Sequence, residues 1–134
     1  MNGKEAFMHW RHRLVLPLAA LALAGCASTF HGSYVVGERY FKTSIDTSSV
    51  IVLSIDGTDT LQRRTLVDPG VRQIAVQAPP VPGAPNETAT FTVDIKPCHT
   101  YYIVAVRANP ISAAFTPKVD FAEPLAGCTP PPAK

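Results

Sequence analysis

Thr90-Phe-Thr-Val-Asp-Ile95 is the stretch on which the fold turns. Phe91, Val93 and Ile95 alternate with Thr90, Thr92 and Asp94, so an extended chain there is apolar on one side and polar on the other. Successive strand side chains point to opposite faces, and a period of two reads as a half-buried β-strand. Residues 71–78 repeat the pattern, with Ile74 and Val76 set against Gln73 and Gln77. Two continuous apolar runs, Val50-Ile-Val-Leu-Ser-Ile55 and Tyr101-Tyr-Ile-Val-Ala-Val106, lie on either side. The first is read as a strand buried on both faces.

Working outward, residues 34–41 and 60–67 are further strand candidates, and 115–121 is a weaker last one. Residues 43–49 read as a polar turn region. Asp56-Gly57 and Asp68-Pro69-Gly70 are turns with a mechanism, because Pro presets φ and Gly accepts positive φ. Residues 79–85 hold four prolines and a glycine, a loop that has no place in a central strand. This makes about seven short strands in a chain of 134 residues, enough for one ordinary domain. No segment has the length and period of a substantial helix. The expectation is an all-β protein, a small immunoglobulin-like or transthyretin-like β-sandwich.

The first 26 residues have another character. Arg11, His12 and Arg13 precede the eleven-residue apolar run 14–24, too short to cross a bilayer core, which needs about 20 residues as a helix. A positive start, a short apolar middle and small residues at the end are the parts of a secretory signal. The end reads Leu23-Ala24-Gly25-Cys26, which resembles the lipobox of bacterial lipoprotein precursors. The resemblance implies cleavage before Cys26, a diacylglyceryl thioether on its sulfur and acylation of its new amine, with palmitate among the acyl chains. Two or more chains anchor stably where one is marginal. Residue 27 is Ala rather than the Asp that retains enteric lipoproteins in the inner membrane. The outer membrane, facing the periplasm, is therefore the expected location. Met8 opens a signal of more usual length than Met1 does.

The expected organisation is a signal peptide at 1–25, a lipidated Cys26 and tether at 26–33, a sandwich domain at 34–128 and a Pro-rich tail at 129–134. Split this way, the mature part holds 12 Val, 7 Ile and 12 Thr against 4 Leu, a β-branched composition that favours strands. It carries 9 basic and 9 acidic residues without a Lys/Arg run. Nothing in that balance points to nucleic acid or to a polybasic lipid patch. Ser54-Ile-Asp-Gly57 followed by Leu66-Val-Asp-Pro-Gly-Val-Arg-Gln-Ile-Ala-Val76 resembles PEGA-type envelope modules, although the Gly-x-Thr-Pro element between the turns is missing. That resemblance implies a small β-sandwich and, since folds do not carry function, nothing more.

With Cys26 lipidated in an oxidising periplasm, Cys98 and Cys128 are expected to form one disulfide. A metal site or redox pair is the alternative reading, but Cys98-His99 would point to opposite faces and has no third ligand nearby. No metal or other cofactor is expected. Only His31 and His99 remain in the mature part, and no Gly-x-Ser-x-Gly elbow occurs. Asp56-Gly57-Thr58-Asp59 is the nearest approach to a carboxylate pair and reads as a solvated turn, with weak Ca²⁺ binding as the alternative. Tyr101 and Tyr102 face opposite sides of one strand. One belongs in the core, and the other, with Arg107, is the candidate partner contact. The expected role is a non-catalytic, lipid-anchored envelope module that binds a partner protein through its loops or a sheet edge, with no small-molecule substrate evident. A structural or stress-related protein contacting peptidoglycan is the first alternative. A small periplasmic hydrolase using His99 is the second.

Overall fold

The computed structural model describes residues 30–134. Residues 1–29, where the signal peptide and the lipidated Cys26 are expected, lie outside the described residues. The described chain is all-β and forms a two-sheet sandwich of nine strands: β1 (Ser33–Val36), β2 (Thr47–Ser49), β3 (Ile51–Ile55), β4 (Thr58–Asp59), β5 (Arg64–Val67), β6 (Gly70–Gln77), β7 (Thr88–Ile95), β8 (His99–Val106) and β9 (Thr116–Pro124). The second sheet is an antiparallel array in the order β4-β3-β6-β7. The first sheet is organised around β8. One edge of β8 is taken along its whole length by β9. Its other edge is shared: β1 runs parallel beside Thr100–Tyr102, and β2 runs antiparallel beside Val104–Val106. β5 then pairs with the far side of β1.

β-branched residues fill the space between the sheets. Val35, Val67, Ile103 and Ala105 come from the first sheet, and Val52, Ile55, Ile74, Val76, Val93 and Ile95 from the second. Each fully buried Val or Ile side chain contributes about 1.5–3 kcal/mol by leaving water. The alternating strand 90–95 delivers Val93 and Ile95 to this core, with Phe91 packed against it.

Several expectations from sequence need correction. There are nine strands, because β2 lies within the stretch read as a polar turn and β4 closes a hairpin after Asp56-Gly57. Both residues of that turn have positive φ, the geometry of a type I′ hairpin turn. β1 ends at Val36, short of residue 41, and β5 begins only at Arg64. The run 50–55 is not buried on both faces: Val52 and Ile55 enter the core, but Ile51 is 63% exposed. β3 belongs to an antiparallel sheet whose outer face meets water, so an apolar run there does not imply two-sided burial. The last strand, β9, is the longest of the nine, because β8 offers it a full edge.

Ser33, assigned from sequence to the tether, opens β1 and is fully buried. Its hydroxyl donates to the Lys96 carbonyl at 2.6 Å and accepts from the His99 N–H at 3.0 Å. The Lys96 N–H in turn donates to the Tyr101 hydroxyl at 2.7 Å. Ser33 thus clasps both sides of the tight passage by which the chain leaves the second sheet for the first. Ser33→Ala is expected to cost about 2 kcal/mol, since both partners lose their bond inside the protein. Urea unfolding measures this, and an unchanged midpoint would contradict the clasp.

Candidate functional site

Two features of the first sheet concentrate chemistry: its outer face and an open cleft beside β2. On the outer face, Tyr34, Val36, Thr100, Tyr102, Phe121 and Glu123 follow from strand alternation, opposite Val35, Tyr101 and Ala122 on the core side. Of the nine Phe and Tyr residues in 30–134, Phe91, Tyr101 and Phe115 pack in or against the core. The other six gather on or beside the outer face. Tyr40 stacks on Phe121 at 4.2 Å and meets Tyr102 at 5.1 Å. Phe41 packs edge-on against Tyr40 and Phe121. Phe30 lies 6.2 Å from Tyr34, whose ring carries the Arg64 guanidinium at 3.9 Å. Offset and edge-on aromatic pairs contribute about 0.5–1.5 kcal/mol beyond their buried area.

The loop 37–46 owes its position to Asp120. The β8–β9 register shifts at Tyr102/Ile103, leaving Asp120 as the extra residue of a bulge. Its carboxylate accepts the N–H groups of both Tyr40 and Phe41 at 3.1 Å. Arg39 closes the loop from within, donating to the Ser44 and Thr47 carbonyls. Val36 and Val104 are buried on the face over which this loop folds. The Tyr102 hydroxyl donates to Glu123 at 2.9 Å. Burial first, and the Glu123 carboxylate second, hold that hydroxyl above its ordinary pKa. The two outer-face carboxylates are therefore occupied by donors, whereas Lys42, Arg64 and Lys118 are exposed.

The cleft has a volume of about 730 Å³ and is lined by segment 37–39, Lys42 and segments 49–52 and 60–63. It lies where β5, traced backward past Arg64, departs from the first sheet. The Arg107 N–H donates to the Asp46 carbonyl, which fixes the ladder phase: Ser48 bonds toward β8, and Ser49 turns its main-chain groups to the open side. Arg39, Lys42 and Arg63 line the cleft against the single acid Glu38, and the exposed side chains of Ile51 and Leu61 supply apolar surface.

The tyrosine pair divides between the faces. Tyr101 is 6% exposed in the core, and Tyr102 is half-buried outside. Arg107 is not brought to Tyr102. It follows the end of β8 and donates to the Pro79 carbonyl at 2.6 Å. Cys98 and Cys128 form a disulfide, with Cα atoms 5.4 Å apart. His99 Nδ1 lies 2.8 Å from the Pro97 carbonyl of its own turn. Asp56 accepts the Gln73 N–H at 2.8 Å and pairs with Arg72 at 3.0 Å, and these bonds hold its carboxyl below the usual range. It serves as a hairpin brace. The sequence reading misses the role of Tyr40-Phe41, which it places at the end of a strand over residues 34–41, whereas β1 ends at Val36 and a loop carries both rings to the outer face.

Comparison with known protein families, curated proteins and solved structures finds no match to this chain.

Proposed function

We propose that this protein is a lipid-anchored, non-catalytic accessory module of the bacterial envelope, held at the outer membrane and facing the periplasm. Its role is to hold an extended, acidic segment of a partner protein in the cleft beside β2. The lipobox supports the anchoring. The observation that carries the binding role is that Ser49 turns its main-chain groups to the open side of β2, inside a cleft lined by Arg39, Lys42 and Arg63 and by exposed Ile51 and Leu61. An added strand gains main-chain hydrogen bonds from such an edge and specificity from alternate side chains. Charge complementarity would steer the segment in.

A photo-crosslinking residue at Leu61, which is fully exposed, tests this in intact cells. The expected result is one reproducible adduct that Lys42→Glu with Arg63→Glu abolishes. The same crosslinker at Val71, exposed on the opposite sheet, serves as control. An identical adduct pattern from both positions would refute the cleft as the binding site.

A further inference from the structure

We infer that the aromatic face of the first sheet is seated on the interface of the bilayer that holds Cys26; the inference rests on the lipid attachment proposed above. Three residues lie between Cys26 and Phe30, so four residue-to-residue steps join them. At about 3.3–3.6 Å per residue, even a fully extended chain spans no more than roughly 14 Å. Phe30 packs beside Tyr34 on the aromatic face, so a lipid on Cys26 holds that face within this distance of the headgroups.

The face suits that position. Phe30, Tyr40 and Phe41 are each between 39% and 48% exposed, and Leu66, beside Tyr34 on β5, is 52% exposed. Tyr40, apolar in its ring and polar at its hydroxyl, suits the headgroup level, and Phe30, Phe41 and Leu66 supply apolar surface for the acyl boundary below it. Arg64, over the Tyr34 ring, and Lys118, beside Val104, are exposed toward anionic lipid, and Asp120 and Glu123 are engaged by donors within the protein. The opposite side of the sandwich contrasts with this. The outer face of the second sheet carries Thr90, Thr92, Asp94 and Gln73, with Val71 and Ile51 exposed toward its two ends, and it holds no aromatic ring. One side fits an interface and the other fits water.

The full-length protein, processed in cells and purified in its lipidated form, tests the inference in vesicles of phosphatidylethanolamine and phosphatidylglycerol with brominated acyl chains. The chain's one Trp is Trp10, in the signal segment, so a Trp introduced into the mature part is a sole reporter. Phe41→Trp is expected to lose about half its emission to the bromine atoms, the response of a ring at the interface. Val71→Trp, on the opposite sheet, is expected to keep its emission. Tyr40→Trp repeats the measurement if Phe41→Trp does not fold. Equal, unquenched emission at both positions, in protein whose intact mass includes the lipid, overturns the inference and leaves the anchor standing. Shielding of Phe41→Trp from both bromolipid and aqueous iodide would place a protein partner on the face and overturn it as well. A mass without lipid overturns the anchor and, with it, the inference.

Discussion

Gly37→Ala is expected to lower the melting temperature by on the order of 15 °C, corresponding to about 3 kcal/mol in a domain of this size. β1 and β2 share one edge of β8 and meet end to end. At the meeting point the Val50 N–H donates to the Gly37 carbonyl at 2.8 Å. A Cβ built on Gly37 would lie 2.0 Å from the Val50 carbonyl oxygen and 2.9 Å from its carbon. Those are main-chain atoms, so no rotamer change relieves the clash, and either the hydrogen bond or the strand register must yield. At a site with room, the same substitution stabilises by about 0.4–1 kcal/mol through the unfolded chain, so the sign alone is diagnostic. Circular dichroism on heating measures it, and a melting temperature within two or three degrees of the parent would refute the packing described. Gly57 offers the comparison in space: a Cβ there meets nothing, although its positive φ still disfavours a side chain.

What could be read along the chain is what depends on nearest neighbours. Phe91, Val93 and Ile95 announce a strand because alternation is a local property. The β-branched composition announces sheets because χ1 stiffness is a property of each residue. Pairing is different. Nothing in Thr47-Ser-Ser49 distinguishes a polar turn from a short strand, since only the half of β8 left free by β1 makes it one. Ile51 looks like core until the sheet exposes it. Alternation separates Tyr101 from Tyr102, but it does not say which of the two faces the core. Arg107 could be grouped with Tyr102 only while the end of β8 was unknown. The aromatic face was the least legible feature, because Tyr40 and Phe41 reach it through a loop held by a bulged residue 79 or 80 positions away.

The placement of the aromatics outside the core has a geometric cause. Two sheets packed face to face leave about 10 Å between them. Facing rows of Val and Ile fill that space at interior density, as Val35, Ile74, Val76 and Ile103 do here. A ring is tolerated where its polar end reaches a partner, which Tyr101 achieves by accepting the Lys96 N–H at the margin. Rings without such an outlet, placed fully between the sheets, would force them apart, and overpacking of that kind costs about 1–3 kcal/mol; Phe91 and Phe115 avoid this by packing half-buried against the core. The outer face carries no such limit on thickness. The rings there pack on one another and still leave apolar area exposed, and the inference above assigns that area to the bilayer.

Removing the Cys98–Cys128 bond is expected to cost about 3.5 kcal/mol, the chain-entropy value for a closed loop of this length. The cross-link spans 30 positions and joins the β7–β8 turn to the segment after β9. The Leu125 N–H donates to the Cys98 carbonyl at 2.8 Å, and His31 Nδ1 lies 2.8 Å from the Thr129 carbonyl. Reduction therefore loosens the end of β9 and the approach to β1 together. Two readouts separate this mechanism from mere loss of packing. First, the unfolded chain expands without its cross-link, so the urea m-value should rise as the midpoint falls. Second, Cys98 has a φ of 62°, a conformation that costs an ordinary residue about 1–2 kcal/mol. Cys98→Gly with Cys128→Ala should accordingly be about 1 kcal/mol more stable than Cys98→Ala with Cys128→Ala, because glycine accepts that backbone without strain. A midpoint unmoved by reductant would refute the entropic contribution. Equal stability of the two double variants would refute the backbone argument and leave the cross-link as the sole source of the loss.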